Sequence, residues 1–301
     1  MIMNFMDLPK EYRDKKKAKV VILPVSFKTK TTRKNDSHLG PKAILEASKE
    51  LEYFEEDLFS EPHEVGIFTE EQLTIKDTDF IKIKHKILDK CSKIYDGDKF
   101  LITLGSDHST TMPIIEAIEK KEKDFGIVVF DAHTDLREPW GKDTWWHACV
   151  SREISKKHKT LLVGTRSMDN NDIDFLVSKA GENVGVIFAK DLLSSQKQQS
   201  WDLVHCFQLE EKLRQLPKKI YVSIDVDIFD PSIIRYTDTP EPGGLNWTQI
   251  NNLLKKIFEE KEVLGVDIVE FSPTKEKAAF AESFLLSKLI YKLIAYKYCI
   301  K

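Results

Sequence analysis

Short β-branched runs alternate with longer helical patterns from one end of the chain to the other, and this constrains the fold more than any other sequence feature. Strands are expected at 19–25, 99–105, 125–130, 160–165, 183–189, 219–225 and 262–270. Helical patterns lie between them, near 40–52, 76–95, 109–122, 146–157, 170–180, 200–216, 247–260 and 276–297. Alternation of this kind implies an α/β fold of three layers, α/β/α, with a mostly parallel central sheet. No repeat, low-complexity tract or long linker divides the sequence, so residues 1–301 are expected to form a single domain with a sizeable core. The carboxyl-terminal run FLLSKLIYKLIAYKYCI carries Lys288, Lys292 and Lys297 at helical spacing, which predicts an amphipathic helix rather than a membrane span.

Composition narrows the function. Forty-six basic and 49 acidic residues leave a net charge of -3, so no global basic surface points to a nucleic-acid partner, and small substrates are favoured. Cys91, Cys149, Cys206 and Cys299 are scattered without a C-x-x-C pair, which suggests neither a disulfide framework nor a thiolate metal site and fits a reducing cytoplasm. The amino-terminal stretch MIMNFMDLPKEYRDKKK lacks the apolar core of a secretory signal.

Four of the apolar strands end abruptly in chemistry-bearing residues. FLITL runs into GSDHS (105–109), GIVVF into DAHTD (131–135), IYVSI into DVDIFDP (225–231), and LGVDIV into EFSP (270–273). Ligands of open α/β sheets bind beyond the carboxyl ends of the strands. His108, Asp131, His133, Asp135, Asp225, Asp227 and Glu270 should therefore share one crevice. Extended backbone points residues i, i+2 and i+4 the same way, so Asp131, His133 and Asp135 can face one point, as can Asp225 and Asp227. Asp107 or Ser109 also suits a helix cap, and Asp230-Pro231 a turn. Four carboxylates crowded into a dry crevice repel one another by several kcal/mol each unless positive charge sits among them. Two divalent cations would balance them, and oxygen-rich ligands with two imidazoles suit Mn²⁺. Such a pair would generate a hydroxide nucleophile near neutral pH.

These segments, together with His147 in WWHACV and the run TPEPGG (239–244), resemble the ureohydrolases, the arginase and agmatinase group of binuclear manganese enzymes. The resemblance covers nearly the whole chain in the family's order. It implies two Mn²⁺ per subunit, with Asp131 and Asp225 bridging, His108 and Asp135 completing one site and His133 and Asp227 the other. It also implies Glu270 as the carboxylate that grips a guanidinium, His147 as a proton shuttle and Asp135 as a proton donor to the leaving nitrogen. The products would be urea and an amine, and the assembly a trimer or hexamer. A zinc-dependent deacetylase and an inactive metal-binding scaffold are the alternatives from other classes. Both fit less well, because two carboxylate-rich metal sites, His147 and Glu270 are all present.

The sequence departs from the family pattern at three places. Ser106 replaces the second glycine of the first block, HACV replaces a histidine-glycine start, and Asp238 stands where a glycine is usual. Asp tolerates a left-handed backbone better than most residues. The segment LREPWGKDTWWH lacks the Asn-Thr-Ser character with which arginases hold an amino acid's α-groups, so free arginine is disfavoured. Glu138, Asp143, Trp140, Trp145 and Trp146 could instead hold a distal ammonium by charge and cation–π contact, with Thr239 also lining the substrate. Arg137 would oppose that if it points inward. Agmatine is the expected substrate; aminopropylagmatine, a carboxylated polyamine precursor, guanidinobutyrate and arginine are the alternatives.

Overall fold

The structure, a computed structural model, describes residues 3–28, 36–139, 145–193, 201–274 and 279–300, with backbone alone for 193 and 201–207. Nine strands form one sheet: β1 Val20–Phe27, β2 Ile67–Thr69, β3 Leu73–Ile75, β4 Phe100–Leu104, β5 Gly126–Phe130, β6 Thr160–Thr165, β7 Val184–Phe188, β8 Lys219–Asp225 and β9 Glu262–Val269. Every described strand pairing is parallel, in the order β2-β1-β4-β9-β8-β5-β6-β7, and β3 continues alongside the far end of β1. All seven expected strands are present. Strands β2 and β3, of three residues each, are too short for a hydrophobic period to reveal.

The strands read as unbroken apolar runs because helices cover both faces. Val128 and Phe130 of β5 face one side, with Ile44 of α1 (Gly40–Ala47), Leu253 of α8 (Trp247–Glu260) and Leu289 of α9 (Phe280–Cys299). Ile127 and Val129 face the other, with Ile87 of α2 (Phe80–Ile94), Ile115 of α3 (Thr111–Ile118) and Ile154 of α4 (Val150–Ser155). The remaining helices are α5 (Asn170–Val177), α6 (Ala189–Leu193) and α7 (Trp201–Arg214). Starts are set by side chains: Asp79 caps α2, and Asn246 with Gln249 closes a reciprocal capping box on α8. The four strands that end in DHS, DAHTD, DVD and EFSP are neighbours, β4, β9, β8 and β5, at the centre of the sheet. Their carboxyl ends therefore open into one crevice.

The last helix departs from expectation. No helix among the described residues is long and apolar enough to cross a membrane. Yet α9 is buried almost all round rather than amphipathic, and Lys292, expected on a polar face, is only 1% exposed. Its ammonium meets Glu55, itself fully buried, at 2.5 Å, and also Glu56 and Asp57. A buried lysine is tolerated because carboxylates from the 55–57 turn follow it inside. The carboxylates outweigh the desolvation that would lower its pKa, so the net shift is upward. Lys292→Met is expected to cost about 3–5 kcal/mol in urea denaturation, because Glu55 would be left buried and uncompensated.

A second ionic tie holds the edge of the sheet. Glu70, just after β2, is buried between Lys15 and Lys90 of α2, the latter at 2.8 Å. Burial alone would raise the carboxyl's pKa, but the two ammonium groups reverse this and hold it below its usual value. A depressed folded-state pKa contributes stability above the unfolded value of roughly 4.3, and loses it as pH falls through the folded value. Glu70→Gln should therefore be less stable than wild type at pH 7. The gap should close as pH drops below about 4 in parallel acid titrations followed by circular dichroism.

Candidate active site

Aspartate side chains lock the chain at three of the four strand ends. Asp107 Oδ1 accepts the Ser109 N–H at 3.0 Å, Asp131 Oδ1 the His133 N–H at 2.6 Å, and Asp225 Oδ1 the Asp227 N–H at 3.0 Å. These are three i→i+2 Asx turns. β5 stops at Phe130, and Val226–Ile228 is a turn of 3₁₀ helix. The shared direction of Asp131, His133 and Asp135, and of Asp225 and Asp227, thus comes from turns, not from a continuing pleated strand. In Asp131 and Asp225 one oxygen is committed to the backbone and the other left for the crevice.

The free atoms converge. His108 Nδ1 lies 3.1 Å from Asp131 Oδ2, 3.0 Å from Asp135 Oδ2 and 3.4 Å from Asp225 Oδ2. His133 Nδ1 lies 2.8 Å from Asp227 Oδ2 and 3.6 Å from Asp131 Oδ1. Two groups of ligand atoms result, His108–Asp131–Asp225 and Asp131–His133–Asp227, each within 4.8 Å of one another and sharing Asp131. His108 Nδ1 and Asp131 Oδ2 are buried yet make no hydrogen bond of acceptable geometry despite their separation. Both aim at a common point rather than at each other, as two ligands of one cation would. A third acidic group, Glu55, Glu56 and Asp57, already surrounds the Lys292 ammonium.

Electrostatics point the same way. Burial, then the charges of Asp227 and Asp131, push Asp225 well above the usual carboxylate range; burial and Asp131 also raise Asp135 and Asp227. Asp131 is buried too, but the two imidazoles outweigh that and pull it down. Burial disfavours charge on His133, and its partners Asp131 and Asp227 reverse this, carrying it up to about 12. The cluster calls for positive charge, and the donor set of carboxylate oxygens and imidazoles fits divalent cations.

Glu270 sits beside the cluster. Its Oε1 accepts the His108 N–H at 2.8 Å, and its own N–H donates to the Ser106 carbonyl at 2.9 Å. Burial, Asp225 and Asp107 together raise its pKa well above normal. No lysine or arginine pairs with it among the described residues. Asp135 and Glu270 both have positive φ, 49° and 64°, a costly conformation for non-glycine residues and typical of functional sites.

Several supporting residues carry no sequence signal of their own. His108 Nε2 meets Ser223 Oγ at 3.1 Å, Ser223 donates to Asp267 at 2.6 Å, and Tyr221 to the same carboxylate at 2.9 Å. Residues of β8 and β9 thus fix the outer nitrogen of His108 and leave Nδ1 to the crevice. Alternate positions along an apolar strand could have flagged Tyr221, Ser223 and Asp267 as polar residues in a buried run. The departure at Ser106 has a use: its hydroxyl bridges the Phe27 N–H and the Val25 carbonyl of β1, at 3.1 and 3.2 Å. Asp238 does not have positive φ, so this loop does not need the usual glycine there.

The tail-binding residues are less uniform. Trp146 packs edge-on against His147, ring centroids 5.1 Å apart, and both are half-buried. His147 begins the turn that leads into α4. Thr239 is exposed on the loop that carries Glu241. Trp145 is core, packed against Phe27 and Phe80, and the expectation that it holds substrate is corrected. Glu138 pairs with Arg152 at 3.2 Å, and Arg137 with Asp169 at 3.6 Å, so the charge on Arg137 is partnered. Trp140 and Asp143 lie outside the described residues.

A parallel α/β sheet with a carboxylate-imidazole cluster at its carboxyl edge defines a metal-binding hydrolase of the ureohydrolase kind. The chain belongs to the arginase family, whose model matches residues 18–295. It is a ureohydrolase acting on guanidino C–N bonds. It is 33% identical to an N(1)-aminopropylagmatine ureohydrolase of Thermus thermophilus over 93% of this chain and 90% of that protein. Identity to an agmatinase of Pyrococcus horikoshii is 31%, over 96% and 95%. The agmatine ureohydrolase of Thermoplasma volcanium shares the fold, with a TM-score of 0.82 at 23% identity over 99% of this chain and 95% of that one. Asp131→Asn and Asp227→Asn are each expected to lose bound metal and activity together by elemental analysis and urea release; metal-replete, fully active variants would refute the ligand assignment.

Proposed function

We propose that the chain is a single-domain enzyme that holds two Mn²⁺ ions and hydrolyses agmatine to putrescine and urea. Asp131 and Asp225 would be shared by the two ions, with His108 and Asp135 holding one and His133 and Asp227 the other. When bound, two such ions supply Lewis-acid charge and lower the pKa of a shared water. The observation that carries the reading is the buried Glu270 carboxylate beside the cluster. One oxygen is held by the His108 N–H, and no cationic side chain pairs with either oxygen among the described residues. A planar guanidinium supplies the missing charge, and its N–H groups match a carboxylate.

Asp135 is suited to carry a proton to the leaving nitrogen, because its Oδ2 faces the cluster, 3.0 Å from His108 Nδ1. His147 exchanges that proton with solvent. Trp146 and Thr239 lie along the path of the substrate's tail. With Arg137 engaged by Asp169, the rim does not present that cation unpartnered to an ammonium-bearing tail.

The second reading is N(1)-aminopropylagmatine, supported by the names of the Thermus thermophilus relative and of a Synechocystis relative 28% identical over 93% of this chain. The scattered cysteines, with no disulfide among the described residues, support a cytoplasmic location. Assembly into a trimer or hexamer rests on the family resemblance; Phe59, 84% exposed and edge to face with Phe54 at 5.3 Å, offers an interface an apolar contact. Urea release by the Mn²⁺-loaded protein should be measured with agmatine, N(1)-aminopropylagmatine, guanidinobutyrate and arginine side by side. Agmatine is expected to give the highest kcat/KM. Preference for the aminopropyl compound selects the second reading, and preference for arginine overturns both.

A further inference from the structure

We propose that Glu241, on the loop over residues 237–244, is a positioning residue for His133. The inference rests on the reading of His133 as a metal ligand and adds to it. The inner nitrogen of His133, Nδ1, faces Asp227 and Asp131, so Nε2 points outward, and it meets Glu241 Oε1 at 3.8 Å. That separation is within ion-pair reach but longer than a direct hydrogen bond. The same Oε1 accepts the Ser167 hydroxyl at 3.0 Å. Ser167 is itself fixed beside His133: the two residues form a parallel bridge, and the Ser167 N–H donates to the Ala132 carbonyl at 2.9 Å.

The loop bringing Glu241 there is anchored to the strand ends that carry the cluster. Arg166, just after β6, spreads its guanidinium over main-chain carbonyls, reaching Glu241 at 2.9 Å, Pro242 at 3.2 Å and Asp227 at 2.5 Å. Asp230 Oδ2 accepts the N–H groups of Gly243 and Gly244 at 3.0 and 3.1 Å. Gly244 runs so close that a Cβ would stand 2.4 Å from the Asp230 nitrogen and 2.7 Å from the guanidinium. Only glycine permits this approach. A half-exposed carboxylate held within ion-pair reach of a histidine's outer nitrogen favours the proton on Nε2 and leaves the Nδ1 lone pair for a cation. Arg166 and Ser167 thus convert the position of a surface loop into the orientation of one ligand in the crevice.

The test is Mn²⁺ binding to the metal-stripped full-length protein, followed by titration calorimetry and by the electron paramagnetic resonance of free Mn²⁺. The wild type, Glu241→Ala, Glu241→Gln, Glu241→Asp and Ser167→Ala are compared. Wild type should take up two ions. Glu241→Ala should weaken one of the two sites by about 10–100-fold and leave the other unchanged. Glu241→Gln, which keeps an acceptor oxygen, should recover part of the loss, Glu241→Asp should fall between it and alanine, and Ser167→Ala should show a smaller defect in the same site. Two sites of wild-type affinity in Glu241→Ala would overturn the inference. So would equal weakening of both sites with a lowered melting temperature, which marks a structural role. A raised KM for agmatine with metal binding intact would make Glu241 a substrate contact instead. Wild type binding fewer than two ions would sink the metal-site reading itself, and this inference with it.

Discussion

Mutual repulsion among four aspartates at the ends of two adjacent strands is the constraint on which the rest of the site depends. Asp131, Asp135, Asp225 and Asp227 are buried within hydrogen-bonding distance of the same two imidazoles. A fold that gathers carboxylates so closely pays in desolvation and like-charge repulsion, and recovers the loss only with cations among them. The surroundings are consistent with that requirement. The outer nitrogen of His108 is tied to Ser223 and Asp267, aspartate oxygens are tied to backbone, and the remaining lone pairs face inward. Glu270 then stands at the margin, a buried carboxyl with no cationic side chain paired to it among the described residues.

Much of this was legible in the sequence, for a physical reason. Parallel strands buried on both faces must be apolar throughout, so their ends show as abrupt changes of character, and β4, β5, β8 and β9 announced both themselves and the residues that follow. The spacing of Asp131, His133 and Asp135 was legible too, but its cause was not. Period two is shared by a pleated strand and by an aspartate bonding the N–H two residues on, and only coordinates separate them. Lys292 was misleading because a lysine every four or five residues looks like a polar face; the carboxylates that accompany it inside are more than 230 positions away in sequence. Trp145 was misleading in the opposite sense, since an aromatic two residues before His147 has the same letter whether it lines the crevice or the core.

The two histidines are supported in different ways. His108 has its partner built into β8 and β9, where Ser223 and Asp267 are fully buried and Tyr221 closes the network. His133 is a quarter exposed and has its outer nitrogen facing a loop, so its surroundings depend on how that loop is held. One imidazole is fixed by the sheet and the other by a lip, and the lip is the part that can vary with least disturbance to the core.

The left-handed backbone at Asp135 and Glu270 has a consequence for how such a chain can change over time. Each costs on the order of 1–3 kcal/mol that an ordinary residue in an ordinary conformation would not. Heat resistance and chemistry therefore pull against each other at these two positions. A lineage selected for durability alone would drift toward glycine at both, gaining a more relaxed fold and losing one carboxylate from the cluster and another from its margin. Acids at these two positions therefore trade stability for the carboxylates they bring to the crevice.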